Sequence, residues 1–349
     1  MKSKIKNRTI NSDVTILQSL KKMDEEHVKL LFVFNEDKFI GILTIGDIQR
    51  AIIKNVNLND SVISILDTKK IYANINDDIE YIKGKMYRMR AECMPVVDNK
   101  GLLKDVIYWE EVFGNEKKEP YFKFNLPIII MAGGIGSRLR PLTNVLPKPL
   151  IPIKDKTLLE EIFKRFSDYG CNDFYVSLNY KSKLIEYYID QQNLPYNIIY
   201  FLEDKPMGTV GSLSLIKEKI HSTFFVSNCD IIIDQDYSEI LDYHKKNKNE
   251  ITIVATLKHI AIPYGTIETG ENGQLIELIE KPELTLKINS GMYILEPHLL
   301  NEIPNNHFFH ITQLINNIKK RKGKIGVFPI NASAWKDIGN WQEYLNIIK

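Results

Sequence analysis

A chain of 349 residues, 44% hydrophobic, 26% charged and 10% aromatic, has the composition of a globular protein and is too long for one ordinary core, so about two domains are expected. With 46 Lys and Arg against 44 Asp and Glu, the net charge of +2 gives no bulk attraction to nucleic acid or to an anionic membrane, and neither is expected as a partner. Cys93, Cys171 and Cys229 lie far apart with no Cys or His at metal-ligand spacing, so they read as small buried hydrophobes of a reducing compartment.

The first residues, MKSKIKNRTINSDVTILQSL, carry basic groups with no apolar stretch behind them, and nothing downstream approaches the roughly 20 apolar residues of a membrane span. A cytoplasmic protein is the expectation. An internal repeat follows: residues 14–52 match 77–113 at an offset of 63. The first unit reads as a helix through Ile16, Leu20 and Met23, a strand over Leu31–Phe34, a turn at Asn35–Asp37, a strand over Phe39–Leu43 and a helix near Asp47. The second reads as a helix through Ile79 and Met86, a strand over Met94–Val97, a turn at Asp98–Gly101, a strand around Leu102 and a helix near Glu110. Two β-α units of this size cannot each bury a sheet alone and should pack as a pair.

This tandem resembles the CBS domain pair, units about 8–56 and 62–118, most specifically through Gly41-Ile-Leu-Thr44-Ile-Gly-Asp47. The resemblance implies an adenine or guanine nucleotide on Thr44 and Asp47, and assembly into a homo-oligomer through the pair. At the same offset the second unit offers Lys104, Ile107 and Glu110, so a second nucleotide site is not expected.

Gly114-Asn-Glu-Lys-Lys-Glu-Pro120 has linker composition, placing a boundary at 118 and a linker over 119–125. From 126 to 349, strands at 127–131, 173–177, 196–200 and 223–227 alternate with helices near 158–169, 184–190 and 210–219. That alternation predicts an α/β, Rossmann-like, mostly parallel sheet covered on both faces, with ligands at the strands' carboxyl ends.

At the first of those ends stands Met131-Ala-Gly-Gly-Ile-Gly-Ser-Arg-Leu-Arg-Pro-Leu-Thr143, then Leu146-Pro-Lys-Pro-Leu150. A Gly-rich turn exposes backbone N–H groups to phosphate oxygens, which nominates Ala132, Gly133, Gly134, Gly136 and Ser137 as nucleotide contacts. Neither the dinucleotide fingerprint nor a P-loop fits, since Leu139 stands where a third Gly is needed and no Gly-Lys-Ser/Thr follows. The segment resembles the signature of the sugar-1-phosphate nucleotidyltransferases. That resemblance implies that Arg138 holds the leaving phosphates and Lys148 neutralises the α-phosphate.

It extends to four further elements. Glu203-Asp-Lys-Pro-Met-Gly208-Thr209 resembles the base-recognition loop, and a carboxylate at Glu203, offering only acceptors, matches the N1–H and N2–H₂ donors of guanine. Asp230, ending the strand Phe225-Val-Ser-Asn-Cys, and Asp337 of Trp335-Lys-Asp-Ile-Gly339 take the places of two Mg²⁺ carboxylates. Gly265, Glu280 and Asn289 fall where the family meets the sugar, and Lys281 where it meets the sugar phosphate. The runs Lys245–Lys248 and Lys319–Lys322 read as solvated helix ends, and His259 and His310 receive no role. The implied reaction joins GTP to a sugar 1-phosphate, glucosamine 1-phosphate foremost, releasing pyrophosphate. A uridylyl- or cytidylyltransferase, or an inactive nucleotide sensor, stays open as an alternative.

Overall fold

The computed structural model describes residues 2–67, 72–114, 120–339 and 341–348, in two compact units, Met1–Glu119 and Pro120–Lys349. No helix among the described residues is long and apolar enough to cross a membrane.

The first unit runs β1 (Thr9–Asn11), α1 (Ile16–Glu25), β2 (Leu30–Asn35), β3 (Lys38–Thr44) and α2 (Ile45–Ile53), then β4 (Ala73–Asn74), α3 (Ile79–Met89), β5 (Cys93–Val97), β6 (Leu103–Tyr108) and α4 (Trp109–Phe113). Each half forms a three-stranded sheet in which the first strand lies parallel to the second and the second antiparallel to the third. Leu30, Phe32 and Phe39 share one core with Cys93, Val97 and Val106, so the halves bury their sheets against each other.

The repeat is offset by 63 from Ile16 to Ile79 and from Leu30 to Cys93, then slips by one. The turn Asp98–Leu102 is one residue longer than Asn35–Lys38, with Gly101 at φ +76° taking up the extra residue. The structural partners of Thr44 and Asp47 are therefore Tyr108 and Glu111, not Ile107 and Glu110. Both pairs make the same helix-entry bond: Thr44 N–H donates to Asp47 at 2.8 Å, and Tyr108 N–H to Glu111 at 2.9 Å.

The second unit contains β7 (Ile128–Met131), α5 (Leu158–Ser167), β8 (Asp173–Leu178), α6 (Ser182–Gln191), β9 (Asn197–Leu202), β10 (Phe224–Asn228), β11 (Ile231–Ile233), α7 (Tyr237–Asn247), β12 (Ile251–Ala261), β13 (Thr266–Thr269), β14 (Leu275–Ile279), β15 (Glu283–Leu295), α8 (Ile311–Lys320), β16 (Ile325–Ile330), β17 (Trp335–Asp337) and α9 (Trp341–Ile348). Seven strands form the main sheet in the order β9-β8-β7-β10-β15-β12-β16, with β9, β8, β7 and β10 mutually parallel and β15 antiparallel to both its neighbours. The strand order reverses between β7 and β10, which makes the loops after these two strands the rim of a ligand crevice.

Both faces of the sheet are covered. Ile128 and Ile130 of β7 enter one core with Leu158, Ile162, Phe163 and Phe166 of α5, while Ile129 enters the other with Leu314 and Ile318 of α8. The α5 helix starts where Thr157 and Glu160 form a capping box, its backbone bond at 2.8 Å. Burial raises the Cys171 and Cys229 thiols to about 12, as expected of inert core residues.

Two expectations are revised here. Of the linker expected over 119–125, Glu119 lies outside the described residues, but Phe124 is buried, stacks on Phe225 at 5.5 Å and donates its N–H to Tyr169 O at 2.7 Å. Residues 120–125 thus belong to the second unit, as their aromatics Tyr121, Phe122 and Phe124 could have signalled. The helix expected over 210–219 is instead two 3₁₀ turns, Gly211–Leu215 and Lys217–Lys219. Ser214 hydroxyl donates to Gly211 O at 2.7 Å, a local bond that competes with helix propagation.

At the opposite edge, Arg321 after α8 donates to Glu250, just before β12, at 2.9 Å from Nη1 and again from Nη2, and to Glu302 at 3.0 Å from Nε. This guanidinium, with His298 and the Lys324 N–H, holds the Glu250 carboxyl down to about 2, against 4.5 ordinarily. A depressed carboxyl stabilises the fold above its unfolded pKa, and that contribution drains away as pH falls from about 4.5 to about 2. In thermal melts across that range, Glu250→Gln should show a shallower loss of stability than the parent chain. Parallel curves would remove the latch from the acid response.

Candidate active site

The loop leaving β7 carries the Gly-rich signature. Ala132 is buried and donates its N–H to Ser177 O at 3.0 Å, while Gly134, Ser137 and Arg138 are exposed at the rim. Gly136 has φ +70°, and a Cβ there would stand 2.9 Å from Thr143 Cγ2 and 3.2 Å from Lys148 Cβ. Only glycine lets the loop fold this tightly onto the segment that carries Lys148. Thr143 hydroxyl donates to Gly136 O at 2.9 Å, and Lys181 Nζ donates to Asn144 O at 2.6 Å and Val145 O at 2.8 Å, fixing that segment.

Lys148 is 6% exposed and makes an ion pair with Asp230, which follows β10. Asp230 O in turn accepts the Ile338 N–H at 2.8 Å, and β11 pairs antiparallel with β17, Ile231 opposite Asp337. The fold thus brings Asp230 and Asp337 side by side across more than a hundred residues of chain. Asp337 Oδ1 accepts the Gly339 N–H at 2.8 Å, and a Cβ on Gly339 would lie 2.7 Å from Arg138 Nη2. Arg138, Lys148, Asp230 and Asp337 therefore meet at the reversal point, with Trp341 Nε1 of α9 bonded to Arg140 O at 2.9 Å behind them. Among the described residues no three His, Cys, Asp or Glu side chains cluster as metal ligands. Two hard carboxylates beside a phosphate-type loop fit Mg²⁺, which keeps water and substrate oxygens in its other positions.

Glu203 closes the crevice from β9. It is not a solvated loop charge, since only 8% of the residue is exposed. Oε1 accepts the Ser177 hydroxyl at 2.5 Å and Oε2 the Met207 N–H at 3.1 Å, and a Cβ on Gly133 would stand 2.9 Å from Oε1. Its loop is sewn to the start of α8: Phe309 N–H donates to Met207 O at 2.9 Å and Ile311 N–H to Thr209 Oγ1 at 2.8 Å. Gly208, at φ +79°, leaves room for Phe309 O, which a Cβ would approach to 2.7 Å. Gly208 and Thr209, nominated as nucleotide contacts, are thus also structural joints.

The sugar-side residues come from the ends of the β13–β14 hairpin and from β15. Gly265 and Glu280 face each other beyond the β13–β14 hairpin, a Cβ on Gly265 falling 3.1 Å from Glu280 Oε2. Lys281 is exposed with φ +45°. Asn289 spends its amide on Tyr293 OH at 2.6 Å and its carbonyl on the Gly291 N–H at 3.0 Å. In the first unit, Thr44 hydroxyl donates to Asp47 Oδ2 at 2.7 Å and Arg50 donates to Oδ1 at 2.6 Å. These two residues form a helix cap before they form any ligand site.

Sequence reasoning overlooked Ser177 and Asn179 as site residues and gave Gly339 no role beyond its motif. Asn179 Nδ2 donates to Glu203 O at 2.6 Å. A lone hydroxyl at the end of the apolar strand Phe174-Tyr-Val-Ser177 was the available signal.

This α/β architecture is shared with the crystal structure of HddC from Yersinia pseudotuberculosis, 25% identical, with a TM-score of 0.51 over 64% of this chain and 98% of that one. The same comparison holds for HddC complexed with GMP-PN. The model of the nucleotidyl transferase family matches residues 128–349, and the chain belongs to that family. The CBS domain model matches residues 1–54. Among curated proteins it is 35% identical to the mannose-1-phosphate guanylyltransferase catalytic subunit beta of Dictyostelium discoideum over 182 residues, 50% of this chain and 51% of that protein. It is 36% identical to the mannose-1-phosphate guanyltransferase of Yarrowia lipolytica over 183 residues, half of each chain. The chain spans about half the length of these curated relatives.

Because Lys148 is almost wholly buried, removing either partner of the Lys148–Asp230 pair leaves a charge without its counter-ion. In denaturant unfolding, Lys148→Met and Asp230→Asn should each destabilise the chain, and the double variant should lose less than their sum by about 1–3 kcal/mol. Strict additivity would show that the pair carries no coupling.

Proposed function

We propose that the chain transfers the guanylyl group of GTP to a sugar 1-phosphate, giving a GDP-sugar and pyrophosphate. The observation that carries this is the convergence of Arg138, Lys148, Asp230 and Asp337 on the Gly-rich loop at the reversal of strand order. A nucleophilic phosphate oxygen, already ionised at neutral pH, forms a bond to the α-phosphorus as the bond to the pyrophosphate oxygen breaks. No general base is needed, and catalysis reduces to alignment and charge neutralisation. In this reading Lys148 neutralises the α-phosphate and Arg138, at the exposed rim, holds the leaving pyrophosphate. Asp230 and Asp337 would hold Mg²⁺, which when bound supplies positive charge to the phosphate oxygens.

Support for guanine comes from the acceptor-only Glu203 carboxylate, from the relatives named as guanylyltransferases, and from HddC complexed with GMP-PN. For the sugar, a CBS pair ahead of a short nucleotidyltransferase resembles the glucosamine-1-phosphate guanylyltransferase of bacterial legionaminic acid synthesis, a resemblance that favours glucosamine 1-phosphate. The relatives' names favour mannose 1-phosphate. In the CBS unit, a bound nucleotide would compete with Arg50 for Asp47. Calorimetry of the full chain at saturating GTP should show an added AMP site that Asp47→Ala removes; no heat in the parent would leave Thr44 and Asp47 as a cap.

Pyrophosphate release from the four NTPs against glucosamine and mannose 1-phosphates tests the central reading, and GTP should be preferred. Asp337→Asn is the cleaner metal variant, since Asp230→Asn also strands Lys148. It should lower kcat by about 100-fold or more with a near-parental melting temperature. Near-normal turnover at saturating Mg²⁺ would remove Asp337 from the metal site.

A further inference from the structure

Ser177 and Ser212 are both fully buried, one at the end of β8 and the other in the 3₁₀ turn behind the Glu203 loop. Their hydroxyl oxygens are 3.0 Å apart, and Ser177 Oγ is 2.5 Å from Glu203 Oε1. A serine has one proton to donate, and an ionised carboxylate only accepts. The Ser177 proton therefore goes to Glu203, the charged and nearer acceptor, and Ser212 Oγ is a second acceptor that competes for it. Met207 N–H points at the second carboxylate oxygen. Each carboxylate oxygen of Glu203 thus receives one donor, and the two bonds together hold it in a single rotamer.

We infer that Ser177 is a specificity-determining positioning residue: its hydroxyl fixes the rotamer of the Glu203 carboxylate, so that the remaining acceptor sites of both oxygens meet the adjacent N1–H and N2–H₂ of guanine. The inference rests on the reading of Glu203 as the base-recognition residue. Neither a solvated glutamate nor one held only by Met207 would keep the two oxygens in the plane of the base edge, and the second guanine donor would be lost. Inosine triphosphate, which lacks the 2-amino group, isolates that donor.

The test compares kcat/KM for GTP and ITP by pyrophosphate release in the full chain. Ser177→Ala should raise KM for GTP about tenfold, leave kcat near the parent value and lower the GTP/ITP ratio by a similar factor, the scale of one hydrogen bond to a charged group. Ser177→Thr, which keeps the hydroxyl, should restore the ratio, and Ser212→Ala, which removes only a competing acceptor, should leave it at or above the parent value. In a Glu203→Gln background, Ser177→Ala should change the ratio no further. If Glu203→Gln lowers the ratio and Ser177→Ala does not, the positioning role is overturned while the recognition reading stands. If Glu203→Gln leaves the ratio unchanged, both fall. A fall in kcat with KM and the ratio unchanged would make Ser177 a support of the fold alone. Should Ser177→Ala fail to fold, Ser177→Cys, with its weak thiol donor, carries the same decision: it should lower the ratio, and an unchanged ratio overturns the positioning role.

Discussion

The candidate site depends on one short antiparallel pairing, three residues of β11 against three of β17. It returns the end of the chain to the strand that carries Asp230 and sets Ile231 opposite Asp337. Ile338 N–H bonds to Asp230 O at 2.8 Å, so the backbone sets the spacing of the two main-chain segments that carry Asp230 and Asp337. Lys148 supplies one charge at Asp230, and the Arg138 guanidinium lies beside the turn that follows Asp337.

Glycine positions set the closeness of this arrangement. At Gly133, Gly136 and Gly339 the neighbours within 3 Å of an added Cβ are the carboxylate of Glu203, the methyl of Thr143, and Asp337 together with Arg138. These glycines let charged and polar side chains crowd against the chain. A loop with side chains at these places would push the charged groups apart and fill the crevice.

The two units use one local device repeatedly. Thr15 with Gln18, Thr44 with Asp47, and Thr157 with Glu160 each close a helix entry by reciprocal bonds between a hydroxyl residue and the acceptor three positions on. At Asp47 this device coincides with the position that resembles a nucleotide contact. A motif position and a cap are then the same residue, and only competition for its oxygens separates the roles.

The sequence by itself determined the elements whose causes are local. The alternation of apolar strands and amphipathic helices declared the α/β class, because burial on two sheet faces demands continuous apolar strands. The repeat offset located α1 and α3, and the Gly-rich signature located the crevice at the end of β7. Tertiary structure decided what depends on distant partners: the slip of one residue after Asp98–Leu102, the absorption of Phe124 into the transferase core, and the joining of Asp230 to Asp337. It also decided the state of Glu203, whose burial and bond to Ser177 come from a neighbouring strand 26 positions back. Periodicity and motifs record what a residue meets within a turn or two, whereas charge pairing and desolvation depend on which segments the sheet order lays side by side.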